Sequence, residues 1–509
     1  MKKEVFPLAL KIRFLAAALC AALLLCSCSG GGEASSAVQG EAPAAVQEAA
    51  PRAVTRLRIP YHSEDTLNPF TCATLQNYYA AGLLYDTLVA LDTVGNAQNR
   101  LAQEITIEGA SCIVKLRTDG RFWDGSPVTA QDVIYSLGLA RQSSRFAAQL
   151  SAVLETTSPD SYTVVFALSA PDQFFDRSLA FPIVKEGTGE EAVPTGSGRF
   201  LPQSGGTALS RNDAYYNPVK TVEAVTLVDA GSLRDQGEAV LAGELDLMYT
   251  DLQGDMDLSL GLSRRQVVLS NLVFLGVNSQ RWGFTGEMRQ AFSGLIDRDT
   301  LARKAYLGFG AAAYSPIKPS YSSGSGTAVG SEVNLEEQNA LLDSLGFGER
   351  DEEGWRTLNG RSFTLRLLVN SDNADRAAAA KVVAEAFQAA GIRISLEEET
   401  FKAYAQRIAA GDYDLYLGEM KIPWNLDLLS LISPDPAVGP GCVQDDELVR
   451  TYYEVKSGQA GLEALDAALS QVMPVIPLVY RRGIVCYGED FSANIVATEQ
   501  DIFYNIGDW

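Results

Sequence analysis

Between positions 417 and 431 the chain reads LGEMKIPWNLDLLSL. This short stretch gathers Glu419, Lys421, Trp424, Asn425 and Asp427. Glu419 or Asp427 can hold an ammonium group, and Lys421 can hold a carboxylate. The Trp424 ring can stack on a sugar or another flat ligand. This is the chemistry of recognition, with no bond made or broken. A second reading lets Leu426 and residues 428–431 open a helix whose first-turn charges are solvated. Elsewhere the chain offers little for catalysis. It has one histidine, His62, which excludes histidine triads, H-E-x-x-H sites and multi-histidine metal centres. There is no G-x-S-x-G, P-loop or EF-hand pattern, and Gly196-Ser197-Gly198 reads as a turn. Cys72, Cys112, Cys442 and Cys486 form no C-x-x-C pair, so they mark neither a zinc nor a thioredoxin-type site. They are either disulfide partners in an oxidising compartment or small buried apolar residues. The chain therefore reads as a non-enzyme that needs no cofactor and no metal.

The other cysteines with a plausible chemistry lie near the N-terminus. Lys2, Lys3, Lys11 and Arg13 precede an apolar run from 14 to 25, shorter than the about 20 residues a membrane span requires. Basic start, short apolar middle and small residues at the exit form a secretory signal. The exit, Leu25-Cys26-Ser27-Cys28, resembles the bacterial lipobox, with Cys28 as the residue that is lipidated and becomes the new first residue. Residues 1–27 would then be a lipoprotein signal peptide. Residues 28–54 would be the lipidated cysteine and a flexible tether, since residues 29–54 hold no aromatic residue, Leu or Ile with which to build a core.

The rest is ordinary in composition, 47% hydrophobic and 20% charged, and long enough for more than one domain. The net charge of -22 excludes nucleic acid and an anionic membrane face as partners, because phosphate binding needs clustered Lys and Arg.

Stepping along the chain gives the elements that must carry these side chains. Residues 57–61 read as a strand. Cys112, Val114 and Leu116 alternate with polar neighbours as a half-buried strand, and Tyr162, Val164, Phe166 and Leu168 repeat the pattern. Thr129 and Asp132 form a capping box ahead of a helical stripe at Val133, Ile134 and Leu137. Phe363, Leu365, Leu367 and Val369 alternate. Val382, Val383, Ala386, Phe387 and Ala390 then share a helix face closed by Gly391, and Ile392, Ile394 and Leu396 alternate again. This β-α-β unit makes the class α/β.

Several stretches, in order, resemble the family 5 extracellular solute-binding proteins of ABC importers, the large oligopeptide and dipeptide binders. Residues 84–88 (LYDTL) resemble the family's Y-E-x-L segment. Residues 116–133 (LRTDGRFWDGSPVTAQDV) resemble its most diagnostic stretch. Residues 194–200 (PTGSGRF), 211–216 (RNDAYY), 243–246 (GELD), 289–298 (RQAFSGLIDR), 411–414 (GDYD) and 475–478 (VIPL) follow in the family's order. Most of these are scaffold, and Phe122 and Trp123 are expected in a core.

The resemblance implies a periplasmic-binding-protein-like, two-lobed clamshell with an extra third domain. Residues 55–85, 188–270 and 479–509 would form a discontinuous lobe I, residues 86–187 the extra domain, and residues 271–478 lobe II, with 289–298 in its first helix. It implies capture of a small solute, a peptide first, and delivery to an ABC permease by a monomer held outside the cytoplasm through lipidated Cys28. The same fold can bind an oligosaccharide, and an extracytoplasmic hydrolase or surface sensor are the readings from other classes. By the same resemblance Thr74 and Leu75, after Asn68-Pro69, would offer backbone groups to an extended peptide by strand addition. The 417–431 loop lies where peptide binders carry an aspartate for the peptide's amino terminus. Here that position falls near Ile422, which makes Glu419, Lys421, Trp424, Asn425 and Asp427 the specificity candidates, with Tyr480 beside them at a crossover.

Overall fold

The structure, a computed structural model, describes residues 54–318, 320–321, 333–433, 438–439 and 441–509. Cys28, the signal segment and most of the tether lie outside the described residues. Among the described residues no helix is long and apolar enough to cross a membrane.

The chain enters through β1 (Arg56–Tyr61) and α1 (Leu75–Leu84). It then builds an antiparallel sheet from β2 (Ala102–Glu108), β3 (Ser111–Leu116), β4 (Val153–Asp160) and β5 (Thr163–Leu168), ordered β2-β3-β5-β4, with α2 (Ala130–Ala140) between β3 and β4. β6 (Phe200–Pro202), β7 (Ala208–Arg211) and β8 (Ala224–Asp229) return to β1 in the order β1-β8-β7-β6. The alternating residues behave as their pattern requires: Cys112, Val114, Leu116, Val164 and Phe166 are buried, and their neighbours are not. Thr129 and Asp132 close the capping box that starts α2. Phe122 is buried in this core and Trp123 packs against it.

After α3 (Leu233–Leu241) and β9 (Leu247–Thr250), the long strand β10 (Ser263–Val277) leads into the second half. There follow α4 (Gly286–Gly294), α5 (Arg298–Ala305), β11 (Gly310–Ala312), β12 (Leu365–Asn370), α6 (Ala374–Ala389), β13 (Ile394–Glu399), β14 (Leu415–Lys421), α7 (Asp446–Lys456), α8 (Leu462–Val472) and β15 (Ile476–Tyr487). Their sheet runs β9-β15-β10-β14-β12-β13, with β11 also on β15. Helices cover both faces, so alternate residues serve two cores: Val273, Leu275 and Val277 face one, Leu272 and Phe274 the other.

β10 and β15 join the halves. β15 pairs with β9 through residues 484–487 and with β10 along much of its length, and a register shift interrupts β10 between Val268 and Leu272. The expected boundaries at 270/271 and 478/479 fall inside these two strands.

One expectation fails locally. Residues 289–298 do not form one helix. α4 stops at Gly294 and α5 begins at Arg298, because the Asp297 side chain accepts from the backbone N–H groups of Asp299 and Thr300 and caps a new helix. Arg289 and Arg298 are both buried and hold carbonyls: Arg289 donates to Met473 O and Phe284 O, Arg298 to Ala313 O and Pro477 O. The four cysteines among the described residues are free thiols, three of them buried. Burial raises all four thiols.

Candidate functional site

Two neighbouring cavities, one of about 280 Å³ and one of about 510 Å³, share lining residues. Trp424 and Glu499 line both. Trp424 therefore divides the space, while the residue is only 7% exposed and packs into the core of the first half.

The partition is placed by the loop after β14. Ile422 N–H donates to Ser270 O of β10, which pins the loop's start. Leu426 N–H donates to Pro423 O, and Leu426 takes a left-handed φ of 58°, which closes a tight turn around Trp424. The Lys421 ammonium lies 5.7 Å from the centre of the Trp424 ring.

The smaller chamber is aromatic. Tyr78 and Tyr79 come from α1, Phe146 follows α2, and Tyr249 is the next-to-last residue of β9. Tyr79 meets Tyr249 edge to face at 4.7 Å and donates to Glu499 O at 2.9 Å. Arg145 stacks on Tyr78 at 4.1 Å. α1 is aimed by its start: Thr74 caps it by accepting from Asn77 N–H, and Asp65 in turn accepts from Thr74 Oγ1 at 2.7 Å and from the Ala73 and Thr74 N–H groups.

The floor is ionic. Glu499 meets Lys421 at 3.1 Å and Lys318 at 3.6 Å, and accepts from Ser270 N–H at 2.8 Å and Ser270 Oγ at 2.5 Å. Burial would raise the Glu499 carboxyl. The two lysines and Ser270 outweigh it and hold the group at about 2. Burial also lowers the Lys318 ammonium, against the Glu499 charge.

At the rim the two halves touch through a dry pair. Lys456 on α7 meets Asp172 at 2.5 Å, with side chains 7% and 5% exposed. Asn425 Nδ2 donates to Asp172 at 2.9 Å, Lys456 donates to Asn425 O at 2.7 Å, and Gln173 N–H donates to Lys456 O at 2.7 Å.

The sequence candidates separate on this frame. Leu75, Lys421 and Trp424 line the smaller chamber. Thr74 caps α1, and Leu75 is that helix's first residue, so this stretch is not an extended edge for strand addition; Leu75 is among the chamber's lining residues. Glu419 is held beneath the floor by Asn271 at 2.9 Å, Arg481 at 3.2 Å and Arg376 at 3.3 Å. Asp427 accepts from Leu429 N–H and Tyr452 Oη, and Asn425 serves the rim. Tyr480 is fully buried and donates to Pro316 O. Glu419, Asn425, Asp427 and Tyr480 thus face protein partners, none of them lining either chamber. Tyr78, Arg145, Asp251 and Glu499 line the smaller chamber without having been singled out. The adjacent tyrosines of α1 were a visible signal; Arg145 and Glu499 carry none, since only long-range packing brings them here. Among the described residues no group of three or more His, Cys, Asp or Glu is placed to hold a metal ion.

The sequence profile of the bacterial extracellular solute-binding proteins, family 5, matches residues 96–430. Protein XP55 of Streptomyces lividans is 27% identical over 368 residues, 67% of each chain. The oligopeptide-binding protein AppA of Bacillus subtilis is 24% identical over 374 residues, 68% of each chain. Among solved structures, HbpA2 of Haemophilus parasuis superposes with a TM-score of 0.72 at 18% identity, over 88% of this chain and 99% of its own.

Proposed function

The chain belongs to family 5 of the bacterial extracellular solute-binding proteins, and from that premise we propose that it captures a short peptide between two lobes and delivers it to an ABC permease. The observation that carries this reading is the pair of chambers divided by Trp424, walled by α1 and β9 on one side and by the β14 loop on the other. Lobe I would comprise residues 55–85, 188–270 and 479–509, the extra domain 86–187, and lobe II 271–478. β10 and β15 would act as the hinge, because they are the strands that run through both halves. A ligand that contacts both lobes binds the closed form better and shifts the population toward it. Leu75, Lys421 and Trp424 would touch the ligand directly. Glu419, Asn425, Asp427, Tyr480 and Thr74 would act by holding those residues and the closing surfaces in place.

Cys28 would anchor the protein at the outer face of the bacterial cell membrane, and the protein would work as a monomer without enzymatic activity. Cys28→Ala should move it from the membrane fraction to the soluble fraction; retention in the membrane would end the lipoprotein reading. Native mass spectrometry of the soluble body, as purified and after addition of peptide mixtures, tests the ligand. Added masses that fragment as short peptides are expected. A body that stays empty with peptides but gains mass from an oligosaccharide mixture would replace the peptide with a sugar.

A further inference from the structure

Four charged side chains line the smaller chamber: Arg145, Asp251, Lys421 and Glu499. Lys421 and Glu499 already pair at 3.1 Å, and Glu499 also meets Lys318 at 3.6 Å. Arg145 and Asp251 remain. Among the described residues Arg145 makes no ion pair; its guanidinium lies on the Tyr78 ring at 4.1 Å. The neighbouring Cys72 supplies no negative charge, since burial pushes its thiol up to about 11. Asp251 likewise has no ion pair among the described residues, and its carboxylate accepts only from Gln253 N–H, at 3.0 Å, within its own turn.

The chain carries 63 acidic residues against 41 Lys and Arg, so carboxylates are plentiful. An arginine left without one beside a cavity is therefore informative about what the cavity takes. Stacking on Tyr78 fixes the guanidinium plane, with the neutral Cys72 thiol as its hydrogen-bonding neighbour, and a guanidinium fixed in this way can take a carboxylate through two parallel hydrogen bonds. Tyr79, Phe146, Tyr249 and Trp424 surround the remaining space with aromatic surface.

We propose that Arg145 is a specificity-determining residue that reads a ligand carboxylate, and that Asp251 receives the ligand's ammonium group, so that the aromatic chamber selects zwitterions. This rests on the solute-binding reading above and deepens it. It assigns the charged contacts to the segment after α2 and the segment after β9, rather than to the 417–431 loop, whose acidic side chains already have protein partners.

The test uses di- and tripeptides with one aromatic side chain, each in free, C-terminally amidated and N-acetylated forms, titrated by calorimetry into the whole protein. Amidation and acetylation should each weaken binding about tenfold or more, the scale of one charge-assisted contact. In Arg145→Gln the free and amidated forms should bind alike, and in Asp251→Asn the free and acetylated forms should. Arg145→Lys should retain part of the preference for the free carboxylate. If all three forms bind wild type equally, or if the variants bind more weakly yet keep the wild-type ratios, the charge assignment is overturned while peptide binding stands. If no form binds wild type, the peptide reading falls and the assignment falls with it. Should Arg145→Gln fail to fold, the wild-type comparison of the three forms still decides.

Discussion

Among the described residues, two ionic contacts between the halves differ in makeup. At the floor, Glu499 serves two lysines and a serine, and one partner, Lys421, is 55% exposed. At the rim, Asp172 and Lys456 form a single pair with both side chains nearly sealed from water. The floor contact includes Ser270, which lies on β10, one of the strands that run through both halves. The rim contact has no such strand beside it. Lys421 can exchange its contact for water, while Lys318 and Glu499, 8% and 11% exposed, stay nearly sealed. A dry pair resists partial opening, since removing one partner leaves an unpaired charge out of water.

The largest effect should come from the rim. Asp172→Ala leaves Lys456 buried without its carboxylate and should lower stability by roughly 4 kcal/mol in urea denaturation. Asp172→Asn combined with Lys456→Met should recover most of that loss. If the single and double variants are equally unstable, the rim is not governed by charge pairing.

The floor should respond to pH. The Glu499 carboxyl is held at about 2 in the folded state against an ordinary 4.5. As pH falls through 4.5 the unfolded chain takes up the proton first, so stability present above that pH is lost progressively toward pH 2. The loss should be about 3 kcal/mol, and Glu499→Gln should remove this part of the acid dependence. An unchanged acid profile in that variant would deny Glu499 the role. Ser270→Ala should have the smallest effect, about 1 kcal/mol in the same denaturation measurement, because both lysines still face the carboxylate.

The fold was legible in the sequence where short-range pattern decides structure. The alternations around Cys112, Phe166 and Leu367 became strands, and Gly391 ends α6 with a φ of 85°, a backbone shape that favours glycine. The break between α4 and α5 was not foreseen, because the apolar pattern of 289–298 runs on while Asp297 caps locally. The site was legible only in part. Lys421 and Trp424 line the smaller chamber. The roles of Glu419, Asn425, Asp427 and Tyr480 depended on Arg481, Asp172, Tyr452 and Pro316, residues well separated from them in sequence. A side chain's chemistry can be read from its letter, but whether a partner already occupies it cannot.

The position of Trp424 also makes the molecule its own optical gauge. The chain has five tryptophans. Trp123 packs on a core, Trp282 donates to Asp414, Trp355 lies beside Arg393, and Trp509 packs on Phe491 and Phe503. Trp424 is the one that lines both chambers, with an ammonium 5.7 Å from its ring. Occupancy of either chamber should therefore shift the emission of a single indole against a steady background of four.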